Sequence, residues 1–104
     1  MNIIYKLFLL TTAIISSVHT LQFNSTGYFT IVQFTDIHIG TNEAKNDLTQ
    51  ELQRNILSWV KPDMVVISGD AVRAADPVAS GWFETQWTKF TTPIMEAGIP
   101  YAYT

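Results

Sequence analysis

The stretch Lys61-Pro62-Asp63-Met64-Val65-Val66-Ile67-Ser68-Gly69-Asp70 carries four consecutive apolar residues, Met64 to Ile67, between chain breakers. Pro62 and Asp63 punctuate its start and Gly69 its end. A short, β-branched apolar run bounded in this way predicts a strand buried on both faces. Strands of that kind belong to parallel sheets covered by helices. Asp70 follows at the carboxyl end, the edge at which open α/β sheets bind their ligands. Gly69 lets the backbone turn sharply there, and the short stem of an aspartate leaves the turn to set the direction of the carboxylate.

Working outward, Leu48, Leu52, Ile56, Trp59 and Val60 recur at helical spacing and predict a helix from Asp47 to Val60 with these residues on its buried face. Asp47 followed by Gln50 reads as a capping box, Pro62 ends the helix, and Thr41 to Asn46 reads as a polar loop. Before that loop, the aromatic and β-branched run Tyr28 to Thr35 predicts a first strand. Asp36-Ile37-His38 stands at its carboxyl end. Strand, helix and strand make one β-α-β unit, for which parallel strands and a right-handed crossover are expected. Downstream, Ala71 to Gly81 reads as a loop with Asp76-Pro77 as a turn. Phe83, Trp87, Phe90 and Ile94 share one face of a second helix, which Pro93 ends or kinks. Ile99 to Thr104 reads as the opening of a third strand. Trp59, Trp82 and Trp87 fall at helical spacing with other apolar residues, which favours core packing over ligand stacking.

Composition removes several function classes. Apolar residues make up 47% of the 104 residues and charged ones 14%, which excludes an acidic disordered tail and sets an upper limit of one domain. A net charge of −3 with no basic run excludes nucleic-acid binding through phosphate contacts. With no cysteine there is no disulfide, thiolate metal site or thiol nucleophile, so any metal is held by oxygen and imidazole. At the amino terminus, Lys6 precedes the apolar run Leu7 to Ile15, and mostly small or polar residues lead to Thr20. This is the layout of a secretory signal peptide over residues 1–20. The run is shorter than the roughly 20 residues of a spanning helix. The expected product starts near Leu21, is secreted or held in an endomembrane lumen, and retains no membrane span; the alternatives are an uncleaved signal anchor and, disfavoured because the stretch has no polar face, a buried amino-terminal helix. Asn24-Ser25-Thr26 is an N-glycosylation sequon.

Two strand ends thus present Asp36, His38 and Asp70 to one edge. In extended geometry, residues two apart point the same way, so Asp36 and His38 are expected to face one point, with Asp70 delivered beside them by the neighbouring strand. Two oxygens and an imidazole suit zinc, iron or manganese. Taken singly, an Asp-Ile-His or a Gly-Asp is a common cap or turn; both at strand ends of one β-α-β unit favour a metal site. A carboxylate can also bridge a pair of ions, which at about 4 Å repel by roughly 16 kcal/mol at an effective dielectric of 20. His19 falls in the signal segment. Glu43, Asp47, Asp63 and Glu84 read as solvated or capping residues.

Asp36-Ile37-His38, followed after a helix by Pro62 to Asp70, resembles the calcineurin-like metallophosphoesterase superfamily. The flavour is that of the small secreted group related to purple acid phosphatases. The resemblance implies an α/β fold, here the amino-terminal β-α-β-α-β part of a sandwich of mixed sheets flanked by helices. It implies that Asp36 and His38 bind a first metal, that Asp70 bridges two divalent or trivalent ions (iron, manganese or zinc), and that a metal-bound hydroxide hydrolyses phosphate esters. Two positions depart from purple acid phosphatases: His38 stands where they carry glycine and Arg73 where they carry a metal-bound tyrosine, so no iron-tyrosinate colour is expected. Arg73 is a candidate for substrate phosphate, with a loop salt bridge as the plainer role. Gly98 to Thr104 resembles the strand leading to a Gly-Asn-His-Asp/Glu motif, so the catalytic residues are expected beyond Thr104, residues 21–104 form a truncated domain, and little turnover is expected from this chain alone. A three-stranded sheet would leave open edges prone to association. The alternative is a non-catalytic secreted α/β fragment that binds a metal or a partner. A Rossmann-like nucleotide binder is disfavoured because no glycine-rich loop follows Tyr28 to Thr35.

Overall fold

The computed structural model describes residues 20–73 and 79–104. The signal-peptide segment up to His19 and the Asp76-Pro77 turn lie outside these. Three strands and two helices alternate: β1 (Ile31–Phe34), α1 (Glu43–Val60), β2 (Met64–Ile67), α2 (Trp82–Glu96) and β3 (Tyr101–Tyr103). The sheet order is β1-β2-β3, and both pairings are parallel, as the β-α-β reading expects. Among the described residues, no helix is long and apolar enough to cross a membrane.

β2 matches its expected span because both ends carry a breaker. β1 is shorter than Tyr28 to Thr35 because β2 offers only four partners, from Ile31↔Met64 to Phe34↔Ile67. Asp63 sets that register: its Oδ2 accepts from the Thr30 N–H at 2.7 Å, and its own N–H donates to the Thr30 carbonyl at 2.8 Å.

Side chains alternate across the pleat. Phe34, Val65 and Ile67 point to the face that meets Leu57 of α1 and Phe90 and Ile94 of α2, and together they form the core. Phe34 meets Phe90 edge-on at 6.3 Å, and Trp87 meets Tyr103 edge-on at 5.1 Å. The opposite face carries Ile31, Gln33, Met64 and Val66, which are exposed or half-buried. β2 is therefore covered on one face only, not both. The reason is geometric: both crossover helices lie on the same side of the sheet.

α1 differs from its expected form in two ways. It begins four residues earlier, because Asn42 takes an extended conformation and its side chain accepts the Lys45 N–H at 2.9 Å. That is an N-cap, and it replaces the expected box at Asp47. The helix is also rotated from the expected orientation. Leu48, Leu52, Trp59 and Val60 are exposed, Trp59 to 76%, and only Ile56 of the expected face packs against the core. The buried residues are Asn46, Gln53 and Leu57.

The cause lies on α2. Pro93 does not end that helix, which runs on to Glu96. A proline has no N–H for the carbonyl four residues back, here Lys89. Gln50 of α1 donates its side-chain amide to that carbonyl at 2.6 Å, and Gln53 donates to the Phe90 carbonyl at 3.2 Å. Amides at positions 46, 50 and 53 follow one helical stripe that continues to Leu57, so satisfying α2 turns this stripe inward and Leu48 and Leu52 outward. Ion pairs Lys89–Glu43 and Arg54–Glu96 flank the contact. The hydrogen bond between Arg54 and Glu96 raises the arginine's pKa and lowers the glutamate's. Trp82 and Trp87 are half-buried, so core packing holds for them in part and fails for Trp59.

Candidate metal centre

The strand ladder does not stop where the strands do. Beyond β1 and β2 the two chains remain bonded: Ser68 N–H to Phe34 O at 3.0 Å, Asp36 N–H to Gly69 O at 3.2 Å, and His38 N–H to Asp70 O at 2.9 Å. Ile39 N–H then donates to Ala71 O and Arg73 N–H to Ile39 O, each at 2.9 Å, around an Ile39↔Val72 bridge. The segments bearing the two aspartates and the histidine are thus stitched to each other, and buried Ile39 and Ala71 anchor them to the core.

On this support one donor atom each from Asp36, His38 and Asp70 lies within 4.8 Å of the others. His38 Nε2 is 3.9 Å from an Asp70 carboxylate oxygen. Ligand bonds of about 2.1 Å put two donors on one ion roughly 3–4 Å apart, so the trio fits a single cation with a small side-chain adjustment. Thr35 Oγ1 donates to one Asp36 carboxylate oxygen at 2.6 Å, which orients that group and leaves its second oxygen available. All three residues are solvent-exposed, which leaves coordination positions open for water or a ligand.

The route to this convergence is not the expected one. Asp36, His38 and Asp70 are not extended; their φ angles are +53°, +53° and +47°. They turn the chain out of the pleat, and the bonds between the two segments bring the side chains together. Lys61, which closes α1, is the fourth non-glycine residue with positive φ among those described. Aspartate and histidine tolerate this region better than most residues. Even so, each such conformation costs about 1 kcal/mol or more and persists where the surroundings impose it. Three of the four such residues are the three converging donors, so the strain sits at the site.

Two supporting residues escape a reading that looks for apolar periodicity. Asn46, 2% exposed, accepts the Gly40 N–H on its Oδ1 at 2.8 Å and donates from Nδ2 to Gln86 Oε1 at 3.2 Å. It thereby holds the backbone two residues past His38. Gly40, at φ +110°, lies against the Trp82 ring, and a Cβ there would come within 2.9 Å of it. The signal available in the sequence is the amide stripe Asn46, Gln50 and Gln53, interleaved with the leucines.

Arg73 does not join the trio. It is exposed, and among the described residues its side chain makes no ion pair or hydrogen bond. Of the expected solvated or capping acids, Asp63 caps β1, Glu43 pairs with Lys89, and Asp47 and Glu84 are exposed. A cleft of about 550 Å³, lined by Arg54, Leu57, Lys61, Pro62 and Ile99 among others, opens at the opposite end of the sheet, away from the converging donors.

No family model, curated protein or solved structure matches this chain.

Proposed function

We propose that this chain carries the amino-terminal, metal-binding part of a secreted metal-dependent phosphoesterase domain of the calcineurin-like kind. The observation that supports it is the meeting of Asp36, His38 and Asp70 at one point, each in a left-handed conformation, on two segments bonded to one another. Asp36 and His38 would hold a first ion, and Asp70, with two carboxylate oxygens, would reach a second. Such ions, when bound, supply Lewis acidity toward water and a phosphate ester. The protein's own part is to fix the donors: Thr35 orients Asp36, the backbone of Asp70 holds that of His38, and Asn46 holds Gly40. Three protein donors with open positions are what a catalytic ion needs, whereas structural ions are enclosed by four. That same count of three favours a second reading, a module that binds one ion without turnover.

The test is titration with Mn2+ or Zn2+, followed by inorganic phosphate. The metal should raise the melting temperature of the parent and leave Asp70→Asn unmoved. Asparagine accepts the left-handed conformation as readily as aspartate, so that variant should fold. Phosphate should broaden in 31P NMR with the Mn2+-loaded parent only. An equal thermal shift in both proteins overturns the metal site. Metal binding without phosphate binding leaves the one-ion module.

A further inference from the structure

A second chemical site lies at the far end of β1. We propose that Asn24 is the acceptor for an N-linked oligosaccharide; this rests on the reading of residues 1–20 as a leader into a secretory lumen and is independent of the metal site. In the structure, Asn24-Ser25-Thr26 is not merely a triplet that satisfies a pattern. The Asn24 side-chain oxygen gathers three donors: the Thr26 N–H at 3.0 Å, the Thr26 hydroxyl at 2.7 Å and the Tyr28 N–H at 2.9 Å. The backbone closes around it, with Asn24 N–H to Tyr28 O at 2.8 Å and Gly27 N–H to Asn24 O at 3.0 Å. Gly27 supplies the positive φ, +83°, that the turn requires.

This arrangement has a chemical consequence. An amide nitrogen is a poor nucleophile because its lone pair is delocalised onto the carbonyl oxygen. Three donors on that oxygen draw electron density from the group and raise the acidity of the Nδ2 protons. They also fix the rotation of the amide. Among the described residues no hydrogen bond engages Nδ2, and residues 20–28 are all exposed, so the nitrogen is presented to an approaching donor. The co-reactant is a lipid-diphosphate-linked oligosaccharide. The Nδ2–C1 bond forms as the C1–O bond to the diphosphate breaks; the lipid diphosphate leaves with the electron pair, and one Nδ2 proton passes to a base.

The position suits a bulky substituent. Asn24 precedes β1, whereas Asp36, His38 and Asp70 follow the carboxyl ends of β1 and β2. At about 3.3 Å per residue, the strand separates the two ends, so a glycan leaves the metal-binding edge open. Phe23 and Tyr28, both exposed beside the turn, would gain cover from it.

The experiment translates the full chain in the presence of microsomes and scores protease protection and glycan release together. The expected result is a protected chain that loses the mass of one glycan on treatment with an amidase that hydrolyses the Cγ–Nδ2 bond of the glycosylated residue, and that carries aspartate at position 24 afterwards. Thr26→Ala should be protected and unmodified. Asn24→Asp should also be protected and unmodified, and it keeps the oxygen that the three donors use, so its turn is retained. A protected but unmodified parent overturns the acceptor assignment. An unprotected parent overturns the leader, and the proposal with it. Neither outcome bears on metal binding, which the titration above reads separately.

Discussion

The two sides of α1 are lined in opposite senses. Its inner side carries amides over the first three turns, Asn46 and Gln53 each 2% exposed with Gln50 between them, and ends on Leu57 in the apolar core. Its outer side carries Leu48, Leu52, Trp59 and Val60, all exposed. Each of these amides has a specific partner: Asn46 the Gly40 N–H and Gln86, Gln50 the Lys89 carbonyl, and Gln53 the Phe90 carbonyl, with Gln53 Oε1 alone left without one among the described residues. Leaving the Gly40 N–H, Gln86 Oε1 and the Lys89 and Phe90 carbonyls unpaired would cost about 1–3 kcal/mol each, against about 1.5–3 kcal/mol for fully burying each of Leu48 and Leu52. The requirements of α2 and of the loop after His38 therefore outweigh the pull of the leucines. What buries a helix face is the set of groups opposite it, and over the first three turns of α1 those groups are polar, while Leu57 meets the apolar core. Exposed apolar side chains of this size, where they adjoin, mark surfaces that associate.

The largest effect is expected from Asn46→Ala. It leaves the Gly40 N–H and Gln86 Oε1 without their partner and should cost about 2–3 kcal/mol, read from the urea midpoint. Because Gly40 lies two residues past His38, Mn2+ affinity should fall as well. An unchanged midpoint would show that the amide stripe does not seat α1.

A smaller effect is expected from Gln50→Ala, made with and without Pro93→Ala. With the proline present, the Lys89 carbonyl loses its donor. With the N–H at position 93 restored, the helix supplies that donor itself. The two changes should be coupled by about 0.5–1.5 kcal/mol, and strictly additive losses would remove the proline from the explanation.

The smallest effect is expected outside. Leu52→Gln and Trp59→Gln should each leave the unfolding free energy within about 0.5 kcal/mol of the parent, while sedimentation at high concentration should show less self-association. A loss of several kcal/mol from either would mean that the outer face is buried after all.

What could be read in the residues alone, and what could not, divides along the same line. β2 was legible because Pro62, Gly69 and four apolar residues act locally. The parallel order followed from the length of the crossover, and the meeting of Asp36, His38 and Asp70 at one edge from their places after two adjacent strands. The side of α1 that faces inward was not legible. Apolar periodicity reports that a helix has a distinctive face, whereas burial depends on partners 37 to 40 residues away, on a helix with a proline in its interior. Nor was the left-handed backbone of the three converging donors, because hydrogen bonds between two segments impose it and neither segment encodes it by itself. Local chemistry chose the strands and the donor atoms; the contacts between elements decided how the helix turned and how the donors came to point at one another.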